Sequence, residues 1–227
     1  AKRCPDNARK LMDYRIPNIF LEAFGLKVEK MYRPDLGSNL PQDPNGLYSG
    51  IEIVESLEEA TKLSHLGTPI LFPITFLAGT YQYFDRDTGQ ISRKAMSEFQ
   101  LPTTCVASFR RPKVISKTKI NGGYSTVKEI FGFTDYEITI NGFFIPDPGH
   151  PQGFVSPKSQ EDQMVKWDNL ADAVNVSSEI LLSREIHSIL IEDFNPVPQR
   201  GRPNLVPFTI RAVSDEIIKT NNPLIWS

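Results

Sequence analysis

The stretch ISKTKINGGYSTVKEIFGFTDYEITINGFFI, residues 115–145, decides the fold. It reads as three β-strands punctuated by glycine turns, and it carries no recognisable catalytic apparatus. Its last strand, over 136–145, has the clearest period of two: Tyr136, Ile138, Ile140 and Gly142 share one face, while Glu137, Thr139 and Asn141 share the other. Successive side chains of a strand point to opposite faces, so this alternation predicts a half-buried antiparallel strand with Tyr136, Ile138 and Ile140 turned to the core. Gly122 and Gly123 supply a turn that favours positive φ, between strands over 114–120 and 125–130.

Upstream, from residue 68 onward, the same period of two continues. A strand over 69–76, a hairpin of 81–84 with 90–93 around the polar loop DRDTG, and strands over 97–101 and 103–110 extend an expected meander. Downstream, Ser156 offers an N-cap and Pro157 a first-turn proline. Met164, Trp167, Leu170, Ala171 and Val174 then form an apolar stripe, which predicts a helix near 156–175 packed on the sheet. Further strands are expected over 179–182, 187–194 and 206–213. The first part of the chain differs: a helix from Pro17 to near Gly25, an irregular segment over 31–49, and an amphipathic helix over 55–66 stopped by Gly67. The expected fold class is therefore α+β, a β-rich antiparallel sheet or barrel-like body with one packed helix and Pro-rich extended arms. Residues 1–67 are expected to form a helical or irregular arm or assembly segment, 68–220 the β-rich domain and 221–227 a tail.

Composition narrows the function classes. A chain of 227 residues with 40% hydrophobic content can bury a substantial core. The 25 basic and 27 acidic residues leave a net charge of -2, which gives no global field to gather nucleic acid or an anionic membrane. No apolar run approaches the roughly 20 residues needed to span a bilayer, and AKRCPDNARK does not resemble a secretory signal. Folding in a reducing cytoplasm is the expectation, with Cys4 and Cys105 as two isolated thiols. The 18 prolines cluster over 34–44, 146–157 and 196–207, which suits extended connections that hold a shape without a hydrogen-bond ladder.

A search for chemistry finds structural explanations. His65, His150 and His187 stand in three separate contexts without a second ligand at metal spacing, so no metal and no cofactor is expected. Glu192 and Asp193 are adjacent on a strand and should face opposite ways, while Glu161 and Asp162 suit the first turn of a helix. The glycine-rich fragments Asn-Gly-Gly (121–123) and Phe-Gly-Phe-Thr-Asp (131–135) read as turns, since neither is a strand-to-helix turn followed by Lys-Ser/Thr, as a phosphate loop requires. One basic patch remains: Arg110, Arg111, Lys117 and Lys119, with Lys128 close across a hairpin. It reads as a solvated sheet face, an acidic protein contact or a nucleic-acid contact.

The ordered series Lys-Thr-Lys-Ile (117–120), Gly-Gly (122–123), Thr-Val-Lys-Glu-Ile (126–130) and Asp-Tyr-Glu-Ile-Thr-Ile-Asn-Gly (135–142) resembles uncharacterised tail and baseplate proteins of phages, prophages and related contractile systems of Bacteroidota. Ile-Leu-Ile-Glu-Asp-Phe (189–194) and Phe-Thr-Ile-Arg-Ala-Val-Ser-Asp (208–215) are similar to the rest of that family, and the resemblance covers about 69–218. It implies a non-enzymatic structural virion protein near the junction of tail tube and baseplate, made in the host cytoplasm. Implied partners are other tail proteins and copies of the chain in a three- or sixfold ring, with no membrane and no specific nucleic acid. Contact residues expected on this reading are Arg110, Arg111, Lys117, Lys119 and Lys128, and, from the Pro-rich loop, Pro196, Pro198, Arg200 and Arg202. Two rivals stand beside it. A carbohydrate- or peptidoglycan-binding module would use Tyr81, Tyr83, Phe84 and Tyr124; a cell-wall hydrolase would need a pair of inward-facing carboxylates.

Overall fold

A computed structural model describes residues 15–33, 48–85, 89–122, 124–145, 156–197 and 205–215. The Pro-rich stretches over 34–47 and 146–155, and the 198–204 part of the third, lie outside the described residues. Two compact units divide the chain, Ala1–Leu71 and Phe72–Ser227.

In the first unit, α1 (Ile16–Phe24) has Pro17 in its first turn and ends where Gly25 takes φ +67° and donates its N–H to the Leu21 carbonyl. Three short strands follow, β1 (Lys30–Tyr32), β2 (Glu52–Val54) and, after α2 (Leu57–His65), β3 (Ile70–Leu71). β1 lies in the middle and runs parallel to both neighbours. Met31 and Tyr32, expected in an irregular segment, are buried strand residues. Ser56 caps α2 by accepting from the Glu59 N–H, and Gly67 follows it at φ +88°.

The second unit contains β4 (Thr75–Phe76), β5 (Gly79–Phe84), β6 (Ile91–Met96), β7 (Phe99–Gln100), β8 (Val106–Arg110), β9 (Lys113–Lys119), β10 (Thr126–Phe133), β11 (Glu137–Phe144), α3 (Pro157–Asp168), β12 (Val174–Ser177), α4 (Glu179–Leu182), β13 (Ser188–Pro196) and β14 (Val206–Ser214). Seven strands form one antiparallel sheet in the order β7-β4-β12-β13-β14-β11-β8, while β5–β6 and β9–β10 pair separately. This corrects the sequence reading in five places. Among the described residues the sheet is open, with β7 and β8 as its edges, so it is not a barrel. The order is no meander, because β4 pairs with β12 and β8 with β11. The strand expected over 69–76 is split into β3 and β4, with the donor-less Pro73 between them. Residues 179–182 form a helical turn, since a four-residue apolar run fits either state. Finally, α3 stops at Asp168 because the Asn169 side chain caps the Val165 carbonyl at 2.7 Å, and Val174 opens β12.

The core is built around β11. Ile138 and Ile140 are buried as their alternation predicted, and Phe143, Phe144 and Ile145 are buried as well. Tyr136 is half-buried. Phe144 stacks on Phe208 at 4.2 Å between ring centroids, and Phe194 meets both rings edgewise or tilted. Trp167 of α3 packs against Phe76 and Tyr81, and the buried Gln160 amide donates to the Ile145 carbonyl at 2.9 Å. The helix is therefore fastened to both β11 and the small strands beyond it.

Two details of β11 carry stability. Gly142 stands opposite Phe208, and a methyl group there would lie 2.7 Å from the Phe208 ring and 2.8 Å from the Cys105 sulfur. At the next residue, β8 falls short of Phe143, and the buried Thr104 hydroxyl takes its place. It donates to the Phe143 carbonyl at 2.8 Å and accepts from the Phe143 N–H at 3.2 Å. Gly142→Ala should cost about 1–3 kcal/mol through overpacking, read as a lowered urea midpoint at unchanged slope; an unaltered midpoint would show that the ring yields freely. Thr104→Val keeps the shape but removes both hydrogen bonds, and should cost about 1–3 kcal/mol in the same measurement. Thr104→Ser, which keeps the hydroxyl, should lose clearly less.

Candidate functional site

The pairing of β8 with β11 runs from Val106 opposite Asn141 to Arg110 opposite Glu137. Three residues on, the same two chain segments pair again as β9 and β10, from Lys113 opposite Phe133 to Lys119 opposite Thr126. Thr134 spans the joint: its N–H donates to the Pro112 carbonyl at 2.9 Å and its hydroxyl to the same oxygen at 3.1 Å. β14 accompanies β11 only as far as Glu137, so beyond that point β9–β10 leaves the sheet as a two-stranded arm. Seven residues at about 3.4 Å each make it about 24 Å long.

The register sorts the arm into two faces. One carries the pairs Lys113/Phe133, Ile115/Ile130, Lys117/Lys128 and Lys119/Thr126; the other carries Val114/Gly132, Ser116/Glu129 and Thr118/Val127. A β-bulge at Phe131 shifts the register between Ile130 and Gly132, where Gly132 takes φ +146°, a value closed to other residues. Every residue of both strands is exposed except half-buried Gly132. The exposed set includes Val114, Ile115, Val127, Phe133, Ile130 at 63% and Phe131 at 70%, with Tyr124 in full solvent at the tip. An isolated two-stranded hairpin is marginally stable in water, and this one buries neither face.

The charges at the base and toward the tip are treated differently. Arg110 is ion-paired with Glu137, its cross-strand partner, at 2.7 Å. Arg111 donates to the Thr134 carbonyl and lies over the rings of Phe133 and Tyr136, at 5.1 and 4.7 Å. Both expected contact arginines thus have partners inside the chain and brace the joint. Lys117, Lys119 and Lys128 are different. Among the described residues none has a carboxylate within ion-pairing distance, and Lys117 faces Lys128 directly.

The remaining candidates are scattered. Pro196 is the last residue of β13, opposite Phe208, rather than part of a loop, while Pro198, Arg200 and Arg202 lie outside the described residues. Glu192 sits at a bulge in β13, and Glu192 and Asp193 are both exposed. Glu161 and Asp162 fall past the first turn of α3, where Asp162 accepts from Lys158 at 3.3 Å. Tyr81 is a core residue whose hydroxyl donates to the Leu77 carbonyl, and Tyr83 lies under the Lys94 ammonium. Phe84 and Tyr124 are exposed on different hairpins. Burial pushes the Cys105 thiol far up, so it packs as a neutral group. Arg184, with its guanidinium over Phe109 and a bond to the Ile180 carbonyl, is lowered by burial, with an opposing effect from Tyr136. Among the described residues no three His, Cys, Asp or Glu side chains are grouped to hold a metal. No helix there is long and apolar enough to cross a membrane.

The exposed apolar residues of the arm are the part sequence reasoning missed. The signal was present: Val114 and Ile115 are adjacent, as are Ile130 and Phe131, so apolar groups fall on both faces. A strand with one face on a core and the other in water shows one apolar face only.

No curated protein matches the sequence. Among solved structures, a chain of "Tail of empty GTA particle computed with helical refinement, C6 symmetry" is similar at 11% identity, covering 61% of this chain and 92% of that one. Its TM-score of 0.29 is too low to establish a shared fold. The family model DUF6046, a domain of unknown function, matches residues 100–223, a span that includes β8, the arm, β11, α3 and β14. With more than half of its length in that match, the chain belongs to the DUF6046 family.

Proposed function

We propose that this protein is a non-enzymatic structural component of a phage tail or baseplate, a ring-forming adaptor near the junction of tail tube and baseplate that joins its neighbours through the β9–β10 arm. The carrying observation is the arm itself: a 7-residue strand paired with an 8-residue one, solvent on both faces, with six exposed large apolar side chains. Left bare, such a surface is an aggregation hazard, and seated against a neighbour it is an anchor. Three of the motifs that resemble tail proteins fall within this element, over 117–130, from the end of β9 into β10. Copies are proposed to stand around the tail axis in three- or sixfold symmetry together with other tail proteins, which places the protein in the virion.

A glycan-binding reading has weaker support. Its four aromatics form no common platform, with Tyr81 in the core and Tyr83 covered by Lys94.

The test is incorporation. Particles purified from a producing culture should carry the chain at the tail, detected by immunogold labelling, and recovery of the chain only from the soluble fraction would sink the reading. The triple variant Val114→Ser, Val127→Ser and Ile130→Ser should lower monomer stability by no more than about 2 kcal/mol, because these exposed side chains lose only cross-strand contacts such as that of Ile130 with Ile115. The same variant should drop out of purified particles. Full incorporation would remove the arm from the interface.

A further inference from the structure

We infer that the lysine-bearing face of the arm docks on the body of a second copy of this chain, in a head-to-tail contact; this rests on the assembly reading above. The cross-strand pair Lys117/Lys128 is the starting point. Directly opposed residues on one face of a hairpin hold their Cβ atoms about 4.5–5.5 Å apart, where like charges repel. Lys119 adds a third cation two residues nearer the tip, on the same face. The single carboxylate of the arm, Glu129, is paired with Ser116 on the opposite face and does nothing to relieve them. The repulsion is relieved when an anionic surface covers that face.

The chemistry of the rest of the chain meets that requirement. Residues 113–133 hold four of the 25 basic residues and one of the 27 acidic ones, so the arm carries a net +3. The remainder has 21 basic and 26 acidic residues, a net −5. One copy therefore presents a cationic arm and a body of opposite sign, which is the condition for steered association between copies. Two alternatives fit less well. Nucleic acid would meet a chain of net charge -2, and a phosphate backbone makes no use of the Ile115/Ile130 pair that adjoins the lysines on the same face. A twofold contact between the same faces of two arms would set Lys117 and Lys128 of each copy against those of the other. What remains is arm to body, a heterologous contact that closes into a ring or propagates as a filament.

The experiment uses the full chain in sedimentation velocity over a concentration series, at about 50 mM and about 500 mM salt, conditions that bracket a Debye length of about 10 Å. Wild-type protein should self-associate at low salt, with the half-association concentration rising roughly tenfold or more at high salt. The double variant Lys117→Glu with Lys128→Glu should need at least roughly tenfold higher concentration to associate at low salt. Its circular dichroism should match wild type, and the milder Lys117→Gln with Lys128→Gln pair should fall between, which separates a lost contact from a lost fold. Wild-type protein that stays monomeric throughout would overturn the inference, as would a lysine variant that associates normally. In that second case, loss of association in the Val114/Val127/Ile130 serine variant would leave the arm as the interface and remove only the lysine contact. Normal association in both would remove the arm altogether. A short DNA duplex supplies the last arm of the test: wild-type binding abolished by the lysine changes would assign the face to nucleic acid and overturn the second-copy partner.

Discussion

The pairing of β11 is the constraint on which the C-terminal unit depends. Its eight residues are laddered to β14 on one side and, through five of them, to β8 on the other. Its inward face is Ile138, Ile140, Gly142 and Phe144, and burying each of the three large side chains contributes about 1.5–3 kcal/mol at most. The glycine is as necessary as they are. Its missing side chain is the space into which the Phe208 ring and the Cys105 sulfur settle. A slip of one residue in this ladder would turn every side chain of β11 to the other face, so the packing at Gly142 also fixes the register.

β8 and β11 continue as β9 and β10 with Pro112 and Thr134 hydrogen-bonded across the joint. The core fixes where the arm begins, but its register moves once at the joint and once more at the Phe131 bulge, and these two shifts set Lys117 opposite Lys128 and Ile115 opposite Ile130. Arg110 and Arg111 act at the joint. An exposed ion pair such as Arg110–Glu137 contributes about 0–1 kcal/mol, but together with Arg111 over two aromatic rings it braces the joint. Preorganisation of this kind lowers the ordering cost of a later contact.

How much of this was legible in the sequence differs from element to element. The alternation in 136–145 foretold β11 and its buried face, and Ser156-Pro157 foretold the start of α3, because a period of two and a cap are local signals. The pairing order was not legible, since β4 with β12 and β8 with β11 are brought together only by the whole fold. The parallel sheet of the first unit was hidden by its two- and three-residue strands, which are too short for any period. The bulges at Phe131 and Glu192 were not legible either, because a bulge adds a residue without a mark in composition. The basic patch was found as residues, yet its division was not. Arg110 and Arg111 are satisfied by Glu137, Phe133 and Tyr136, a pairing set by the cross-strand register and not by the sequence order.

An arm of this composition raises a physical difficulty, because apolar side chains exposed on both faces should drive arms to stack on one another. The lysines answer it. Stacking two like faces brings Lys117 and Lys128 of one copy against the same pair of the other, and the repulsion grows as the apolar residues begin to exclude water. The opposite face carries Val114 and Val127 but places Glu129 between them, so like-on-like stacking is opposed there too. The bulge at Phe131 interrupts the free edge of β10, which discourages edge-to-edge pairing there. Each device acts against a second arm and leaves a surface of different charge unaffected. The same residues that make the arm adhesive therefore make it selective, and the selection excludes its own likeness first.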